Sequence, residues 1–144
     1  MTEPLVVAGE LRDAMVAHAR FAAPEEACGL LAGPEGEPLR MAYCLTNRDR
    51  SAYRYTIDPT EHFRALQHAD RNGWVLRGAF HSHPRSPAFP SGSDIAGALD
   101  AEWIYMIVGL ADAAEPEVRA FEISGGTVRE RPIVPEREAA SSSS

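Results

Sequence analysis

Two features of membrane and secreted proteins are missing from this 144-residue sequence. Its apolar runs, of which residues 103–110 are an example, are much shorter than the roughly 20 residues that cross a bilayer as a helix. The first residues, Met1-Thr2-Glu3-Pro4, contain neither the basic nor the apolar region of a signal peptide. We therefore expect a cytoplasmic protein with no membrane partner.

Cysteine and clustered positive charge are also scarce. Cys28 and Cys44 are the only two cysteines, and their spacing differs from the Cys-x-x-Cys pattern of many metal and redox sites. We expect both to be free thiols, because disulfides are rare in the cytoplasm. The formal net charge is −7, and no Lys/Arg cluster supplies the basic surface that phosphate binding needs. We therefore do not expect a nucleic-acid partner.

The sequence does contain helix and strand patterns that alternate along a chain long enough for one domain. Apolar spacing predicts a first helix over residues 9–23, ended by Pro24. Asp58 and Pro59 are typical of the cap and first position of a second helix. That helix is expected to bury an apolar stripe of Phe63, Leu66 and Ala69 and to end at Asn72-Gly73.

Period-two alternation and short apolar runs predict the strands. They cover residues 28–32, 39–45, 53–57, 74–80, 103–110, 117–123 and 128–134, and the first two form a hairpin around a Gly/Pro-rich turn. The order of elements predicts an α/β (α+β) fold, a single domain with one mixed sheet flanked by helices. We place this domain at residues 1–135 and a polar, disordered tail at residues 136–144.

The residues with the clearest chemistry are His81-Ser82-His83-Pro84, followed after six residues by Ser91-Gly92-Ser93-Asp94. Because alternate strand residues share a face, both imidazoles can converge on one point while Ser82 faces away. Asp94 can bring a carboxylate to the same point. Two imidazoles and a carboxylate are the protein ligands of an open zinc site, in which water is the fourth ligand. Taken alone, Ser91 and Asp94 equally match a helix capping box.

The combined motif resembles that of the JAMM (MPN+) zinc metalloproteases, in which an upstream Glu precedes His-x-His-Pro and Ser-x-x-Asp. The upstream segment here is residues 26–33, and the register of the family selects Glu26 over Glu25. The resemblance implies that His81, His83 and Asp94 bind one Zn²⁺ ion. It also implies that Glu26 shuttles a proton and that Ser91 stabilises an oxyanion.

The same resemblance implies a fold and an activity. JAMM domains have a mixed sheet flanked by helices and are similar to cytidine deaminases in architecture. Family members hydrolyse the amide bond after the C-terminal glycine of a ubiquitin-like protein. Residues 14–20, 25–36 and 46–47 further resemble the actinobacterial Mec-type peptidases, which release cysteine from a sulfur-carrier protein in cysteine biosynthesis. No motif position is substituted as in inactive MPN domains.

Three alternatives stay open or are disfavoured at this stage. A desampylase-like or deubiquitinase-like isopeptidase would use the same catalytic residues on protein conjugates. The intact motif disfavours a non-catalytic MPN scaffold module. The acidic composition disfavours a RadC-like role with DNA. No heptad or self-complementary stripe predicts a homodimer, so the oligomeric state is left open.

Overall fold

The computed structural model describes residues 3–136, which form a six-stranded mixed sheet, a two-stranded sheet and three helices. In chain order the elements are β1 (Leu5–Val7), α1 (Leu11–Ala22), β2 (Cys28–Gly33), β3 (Met41–Leu45), α2 (Pro59–Arg71), β4 (Val75–His83), α3 (Gly92–Gly97), β5 (Ile104–Gly109), β6 (Glu117–Ser124), β7 (Thr127–Arg131) and β8 (Ile133–Pro135). The mixed sheet flanked by helices confirms the predicted fold class.

The large sheet has the strand order β3-β2-β4-β5-β6-β7. Only β4 and β5 run parallel, and every other neighbouring pair in this sheet is antiparallel. The hairpin of β2 and β3 is confirmed. Both β4 and β5 are central and largely buried, as their apolar sequences predict.

The helices divide the core between the two faces of this sheet. The buried side of α1, which includes Leu11 and Met15, packs with Phe80 and the small β1–β8 sheet. On the opposite face, α2 packs through Ala65 against Leu30. The short α3 lies on that second face as well, beside a cluster of buried residues on β5 and β6. The second face is therefore where the histidine-containing motif must lie.

Close packing fixes the central β2–β4 pair. A Cβ placed on Gly29 would lie 2.0 Å from the carbonyl oxygen of Tyr43 and 2.2 Å from the Phe80 ring. Any larger side chain at this position would force the backbone to move. Gly29 therefore sets how closely β2, the strand that follows Glu26, packs against the neighbouring strands.

Some local predictions were right and others were wrong. The Asp58 side chain accepts hydrogen bonds from the backbone N–H groups of Thr60 and Glu61, as the capping pattern predicts. The predicted apolar stripe of α2 was right at Ala69, which is buried, and wrong at Phe63 and Leu66, which are 58% and 37% exposed. The other buried position is Ala65. Small residues let the helix pack closely on the sheet.

The prediction of a strand at residues 53–57 was also wrong. This segment is a loop, in which strand-like pairing is limited to an isolated β-bridge between Asn47 and Ile57. Its alternation arises because Tyr55 and Ile57 turn toward the core while their neighbours face solvent. The predicted strand at residues 128–134 is divided at Pro132, which cannot donate a ladder hydrogen bond.

The ends of the described chain meet in the small sheet. Strand β1 pairs in parallel with β8, more than 120 residues later, and the sequence analysis did not predict this strand. Glu136 donates its backbone N–H to Val7 and pairs with Arg40 at 2.6 Å, so the expected tail does not begin at this residue. Residues 137–144 lie outside the described part. Within residues 3–136, no helix is long and apolar enough to cross a membrane.

Candidate metal centre

The motif lies at the C-terminal end of the central strand β4. His81 and His83 point to the same sheet face and are both buried, as their i, i+2 spacing predicts. Ser82 points to the other face, where its hydroxyl accepts a 2.7 Å hydrogen bond from the backbone N–H of Ala27. The structure thus brings the two imidazoles together and separates Ser82 from them.

Asp94 completes a triangle of ligand atoms with the two imidazoles. The Nε2 atoms of His81 and His83 are 3.3 Å apart, and the Asp94 carboxylate oxygens lie 3.2 and 3.0 Å from them. A tetrahedral zinc ion with bonds of about 2.0–2.1 Å would hold neighbouring ligand atoms about 3.3 Å apart. The three residues are therefore positioned to bind a metal. No second group of this kind occurs within residues 3–136.

The hydrogen bonding of His83 also fits a bound cation. Its Nδ1 lies 2.8 Å from the carbonyl oxygen of Pro87, so Nδ1 carries the proton and donates it. Nε2 lies 3.0 Å from Asp94 Oδ2 and donates a hydrogen bond to it when the ring is protonated. Because the Pro87 carbonyl holds the proton on Nδ1, Nε2 is the ring nitrogen that could lose its proton and bind a metal.

The capping box of Asp94 is compatible with its predicted role as a metal ligand. Asp94 Oδ2 accepts the Ser91 backbone N–H at 2.9 Å, while Ser91 Oγ accepts the Asp94 backbone N–H at 3.1 Å. Burial alone would raise the pKa of Asp94. Hydrogen bonds from His81 and His83, with a smaller contribution from Ser91, instead hold it far below its usual range. Asp94 therefore stays ionised and fixed by α3.

Glu26 lies next to this triangle, on the same sheet face. Cys28 pairs with His81 across the β2–β4 ladder, and this register places Glu26 opposite His83. Glu26 is only 4% exposed, and its Oε1 is buried without a hydrogen-bond partner in the described part of the chain. Burial raises the pKa of Glu26 to about 7; the charge of His83 lowers it and that of Asp94 raises it. Such a carboxyl group can accept or release a proton near neutral pH.

Tyr55, on the loop that was predicted as a strand, covers the other side of the triangle. Its ring stacks on His81 with a centroid distance of 4.8 Å and an interplanar angle of 23°. Burial raises the pKa of its hydroxyl, so Tyr55 is uncharged. The ring therefore lies directly on one of the three residues that are positioned to bind a metal.

Comparison with known proteins agrees with this geometry. The family model described as prokaryotic homologs of the JAB domain matches residues 9–124. The chain belongs to the JAB domain family. This membership confirms the JAMM/MPN resemblance of the motif, and the curated and structural relatives of the chain are consistent with it.

Two relatives of this JAB domain have names that state an activity. The chain is 38% identical over 133 residues to the CysO-cysteine peptidase of Mycobacterium tuberculosis, covering 90% of this chain and 89% of that protein. It is 30% identical over 138 residues to the desampylase of Haloferax volcanii, covering 92% of this chain and 96% of that protein. Both similarities extend over nearly the whole JAB domain.

Solved structures share the JAB fold. A Desulfitobacterium hafniense protein solved in solution matches with a TM-score of 0.83 and 38% identity, covering 93% of this chain and 94% of that one. A JAB1/MPN domain protein from Archaeoglobus fulgidus matches with a TM-score of 0.59 over 93% and 100% of the chains. At 18% identity, the second match shows the fold alone.

Asn47 organises the JAB site, although no pattern in the sequence predicted a role for it. Its side-chain amide donates to the backbone carbonyls of Glu26 at 3.1 Å and Arg54 at 3.0 Å. Its Oδ1 accepts the backbone N–H groups of Asp49 and Thr56. Asn47 is 7% exposed and so ties the loop that carries Tyr55 to the segment that carries Glu26. In the sequence it lies within an ordinary polar loop, which gives no signal of this role.

Asn47→Asp is expected to lower both stability and activity. The carboxylate keeps the two acceptor contacts but has no N–H group for Glu26 and Arg54, and it repels their carbonyl oxygens. We expect the free energy of unfolding to fall by about 2 kcal/mol, from urea titration. Catalytic turnover should fall at least tenfold, because Glu26 loses its anchor.

Asn72→Asp is the matched control, since Asn72 donates to the His68 carbonyl at the end of α2, outside the metal centre. Its turnover should stay within twofold of wild type. Wild-type turnover in Asn47→Asp would show that Asn47 does not position Glu26.

The remaining cysteines and histidines lie outside the ligand triangle. Cys28 and Cys44 are free thiols, as predicted, and burial raises the pKa of Cys28 to about 12. The His18 ring lies 3.0 Å from the Leu45 carbonyl oxygen, and His68 contacts the Tyr43 hydroxyl at 2.7 Å. His68 is thus a packed, hydrogen-bonded residue of α2.

Proposed function

We propose that this JAB domain is a zinc metallopeptidase that hydrolyses the amide bond after the C-terminal glycine of a ubiquitin-like protein. Its substrate is a sulfur-carrier protein, from which it releases cysteine. The observation that carries the proposal is the unpaired, buried Oε1 of Glu26 beside the ligand triangle. A buried acceptor without a partner costs about 1–3 kcal/mol, and such a cost is typical of a group kept free for substrate.

His81, His83 and Asp94 would hold the zinc ion. When bound, zinc supplies Lewis acidity, which polarises the scissile carbonyl and lowers the pKa of water from about 15.7 to about 7. The buried sheet face and the Tyr55 ring limit the access of bulk water to these side chains.

Glu26 moves the proton in this mechanism. Its carboxylate takes a proton from the attacking water as the carbon–oxygen bond forms. It then gives that proton to the amide nitrogen as the carbon–nitrogen bond breaks, so that the amine leaves uncharged. A pKa near 7 suits both steps, because the group is a usable base and a usable acid at neutral pH.

Ser91 stabilises the tetrahedral oxyanion through its hydroxyl. Its Oγ already accepts the Asp94 backbone N–H, which fixes the oxygen while leaving the hydroxyl hydrogen free to donate. The nearby Ser93 Oγ, at 3.1 Å, is the alternative hydrogen-bond partner before substrate binds. A single donor of this kind is typically worth about 3 kcal/mol of barrier.

The choice of cysteine as the leaving group is supported by the relative named CysO-cysteine peptidase, whose similarity covers 90% of this chain. A second candidate is an isopeptidase acting on conjugates of a ubiquitin-like protein. It is supported by the relative named desampylase, at lower identity. The two candidates share the same reaction at the carbonyl and differ in the amine that leaves.

The experiment that tests the proposal is mass spectrometry of a sulfur-carrier protein with a C-terminal cysteine after incubation with this protein. We expect loss of one cysteine residue, abolished by a chelator and restored by added zinc. Loss that persists in the chelator would exclude a metallopeptidase. An uncut carrier in the presence of zinc-loaded protein would exclude this substrate, and cleavage of a lysine conjugate instead would favour the isopeptidase.

A further inference from the structure

Two cavities flank the ligand triangle. One has a volume of about 180 Å³ and is lined by Glu26, Ala52, Tyr53, His83, Pro84, Arg85, Ser86 and Ser91. The other, of about 250 Å³, is lined on the opposite side by His81 and Asp94, together with the Tyr55 and Tyr105 rings and the side chains of Ile107 and Ile123. The first contains Glu26 and Ser91, whereas the second has a largely apolar floor. Each is lined by one arginine, Arg85 in the first and Arg54, which is paired with Asp49, in the second.

The leaving amine must lie in the first cavity. A carboxyl group that protonates an amine has to come within hydrogen-bond distance of its nitrogen. Of the two cavities that contain metal ligands, only the one with Arg85 is lined by Glu26. Glu26 also borders a groove near His18 and Phe21, but that groove contains no member of the ligand triangle. The acyl part of the substrate is left to the other cavity.

Arg85 has an uncompensated positive charge at this position. It is exposed and makes no hydrogen bond or ion pair with any residue from 3 to 136. Several other arginines of the fold are paired, as Arg54 is with Asp49 and Arg119 with Glu130. Arg64 on α2 is unpaired within residues 3–136, like Arg85, but lies away from the ligand triangle. A free guanidinium beside the group that protonates the leaving amine is therefore available to a substrate anion.

The backbone on either side of Arg85 is held in place. His83 belongs to the central strand β4, and its Nδ1 is hydrogen-bonded to the carbonyl of Pro87. Arg85 lies in the middle of this five-residue turn, which also contains Pro84. The link to a metal ligand fixes the origin of the Arg85 side chain relative to the site, so its charge can act at a defined distance from the reacting nitrogen.

We propose that Arg85 binds the α-carboxylate of a free amino acid as that residue leaves, and so selects amino-acid release over cleavage of lysine conjugates. This inference rests on the proposed peptidase function. When a C-terminal residue is removed, its carboxylate lies one carbon from the scissile nitrogen. A lysine side chain joined through its amine carries no such anion. Arg is well suited to bind a carboxylate through two parallel hydrogen bonds.

The surrounding charges make such a cation necessary. The chain has a formal net charge of −7, and Glu26 and Asp94 are both close to the scissile bond. An incoming carboxylate would be repelled by them unless a positive group faced it. The two positive charges of a zinc ion would balance the carboxylates of Asp94 and Glu26, so Arg85 is the cation in this cavity that is left to face an additional carboxylate.

The test compares three substrates made from one ubiquitin-like carrier protein that ends in Gly-Gly. They are the carrier extended with cysteine, the carrier extended with cysteinamide, and the carrier joined to the ε-amine of Nα-acetyl-lysinamide. Wild-type protein should cleave the acid with the highest kcat/KM. Arg85→Gln should lower kcat/KM for the acid by tenfold to a hundredfold, mainly through KM, and at least tenfold more than for the amide. Arg85→Lys should recover part of the loss.

Arg64→Gln is the matched control, because Arg64 is an exposed arginine on α2 that lines neither cavity. The Arg64→Gln variant should cleave all three substrates with a kcat/KM within twofold of wild type. The inference would be overturned if Arg85→Gln lowered kcat/KM equally for the cysteine and the cysteinamide substrates. It would also be overturned if wild-type protein cleaved the lysine conjugate faster than the cysteine substrate. Zinc-loaded wild-type protein that cleaves none of the three would instead overturn the proposed function itself.

Discussion

Replacing Glu26 by Gln is expected to lower turnover at least a hundredfold while the protein still binds zinc. The amide cannot take a proton from water or give one to the leaving amine, and general acid–base catalysis is typically worth 10²–10⁴-fold. The ligand triangle does not include Glu26, so zinc content should be unchanged. The measurements are kcat on a carrier ending in Gly-Gly-Cys and zinc content after dialysis.

Glu25→Gln is the matched control for this variant. Glu25 is the adjacent acid, and its side chain forms an exposed ion pair with Arg50 at 3.5 Å. Its removal should change turnover less than twofold. Full activity of Glu26→Gln would remove Glu26 from the mechanism, and loss of zinc would show that it acts as a ligand.

The same variant gives a second readout in the metal-free protein. The pKa of Glu26 is raised from 4.5 to about 7 by folding, so its ionisation favours the unfolded state. Wild-type protein therefore loses this contribution to stability as pH rises from 4.5 to 7, whereas Gln does not titrate. Glu26→Gln should be more stable than wild type by about 3 kcal/mol at pH 8, with little difference at pH 4. Urea unfolding of chelator-treated protein measures this, and a pH-independent difference would contradict burial as the cause.

His83→Ala is expected to abolish zinc binding and activity together. It removes one corner of the triangle, so that only His81 and Asp94 remain as protein ligands. We expect zinc affinity to fall more than a hundredfold, since changes to outer partners of a ligand already cost 10–100-fold. Added zinc should raise the melting temperature of the wild-type protein and not that of the variant. Zinc titration and thermal unfolding provide both measurements.

His62→Ala serves as the control for His83→Ala. His62 lies on α2, and it is not part of the ligand triangle. Its replacement should preserve zinc affinity and turnover within twofold. Retention of zinc by His83→Ala with unchanged affinity would show that the metal is held elsewhere.

The parts of the site that depend on local geometry could be predicted from the sequence. Alternation along a strand places His81 and His83 on one face, and a Ser-x-x-Asp cap orients Asp94 at the start of α3. The start of α2 at Asp58-Pro59 could be predicted for the same reason. In each case the interacting groups are two to four residues apart, so backbone periodicity alone fixes how they face each other.

Predictions that depended on distant neighbours were less successful. Residues 53–57 alternate like a strand but form a loop, because the Asn47 side chain binds the backbone of Arg54 and Thr56 in place of a neighbouring strand. Phe63 fits the apolar spacing of a helix, yet α2 packs against the sheet through small side chains such as Ala65, and Phe63 is exposed. The pairing of β1 with β8 joins segments that share no local pattern. Which surfaces meet is decided by packing across the whole fold.

By itself, then, the sequence determined which side chains can form the ligand triangle and what chemistry they can support. The tertiary structure decided the properties that come from burial and from contacts between distant segments. It buried Glu26 opposite His83 with one carboxylate oxygen unpaired, and this burial raises the pKa of Glu26 to about 7. It also placed Arg85 beside that carboxylate without a partner. Desolvation and long-range register depend on the packed neighbours of a residue, and a linear pattern does not contain them.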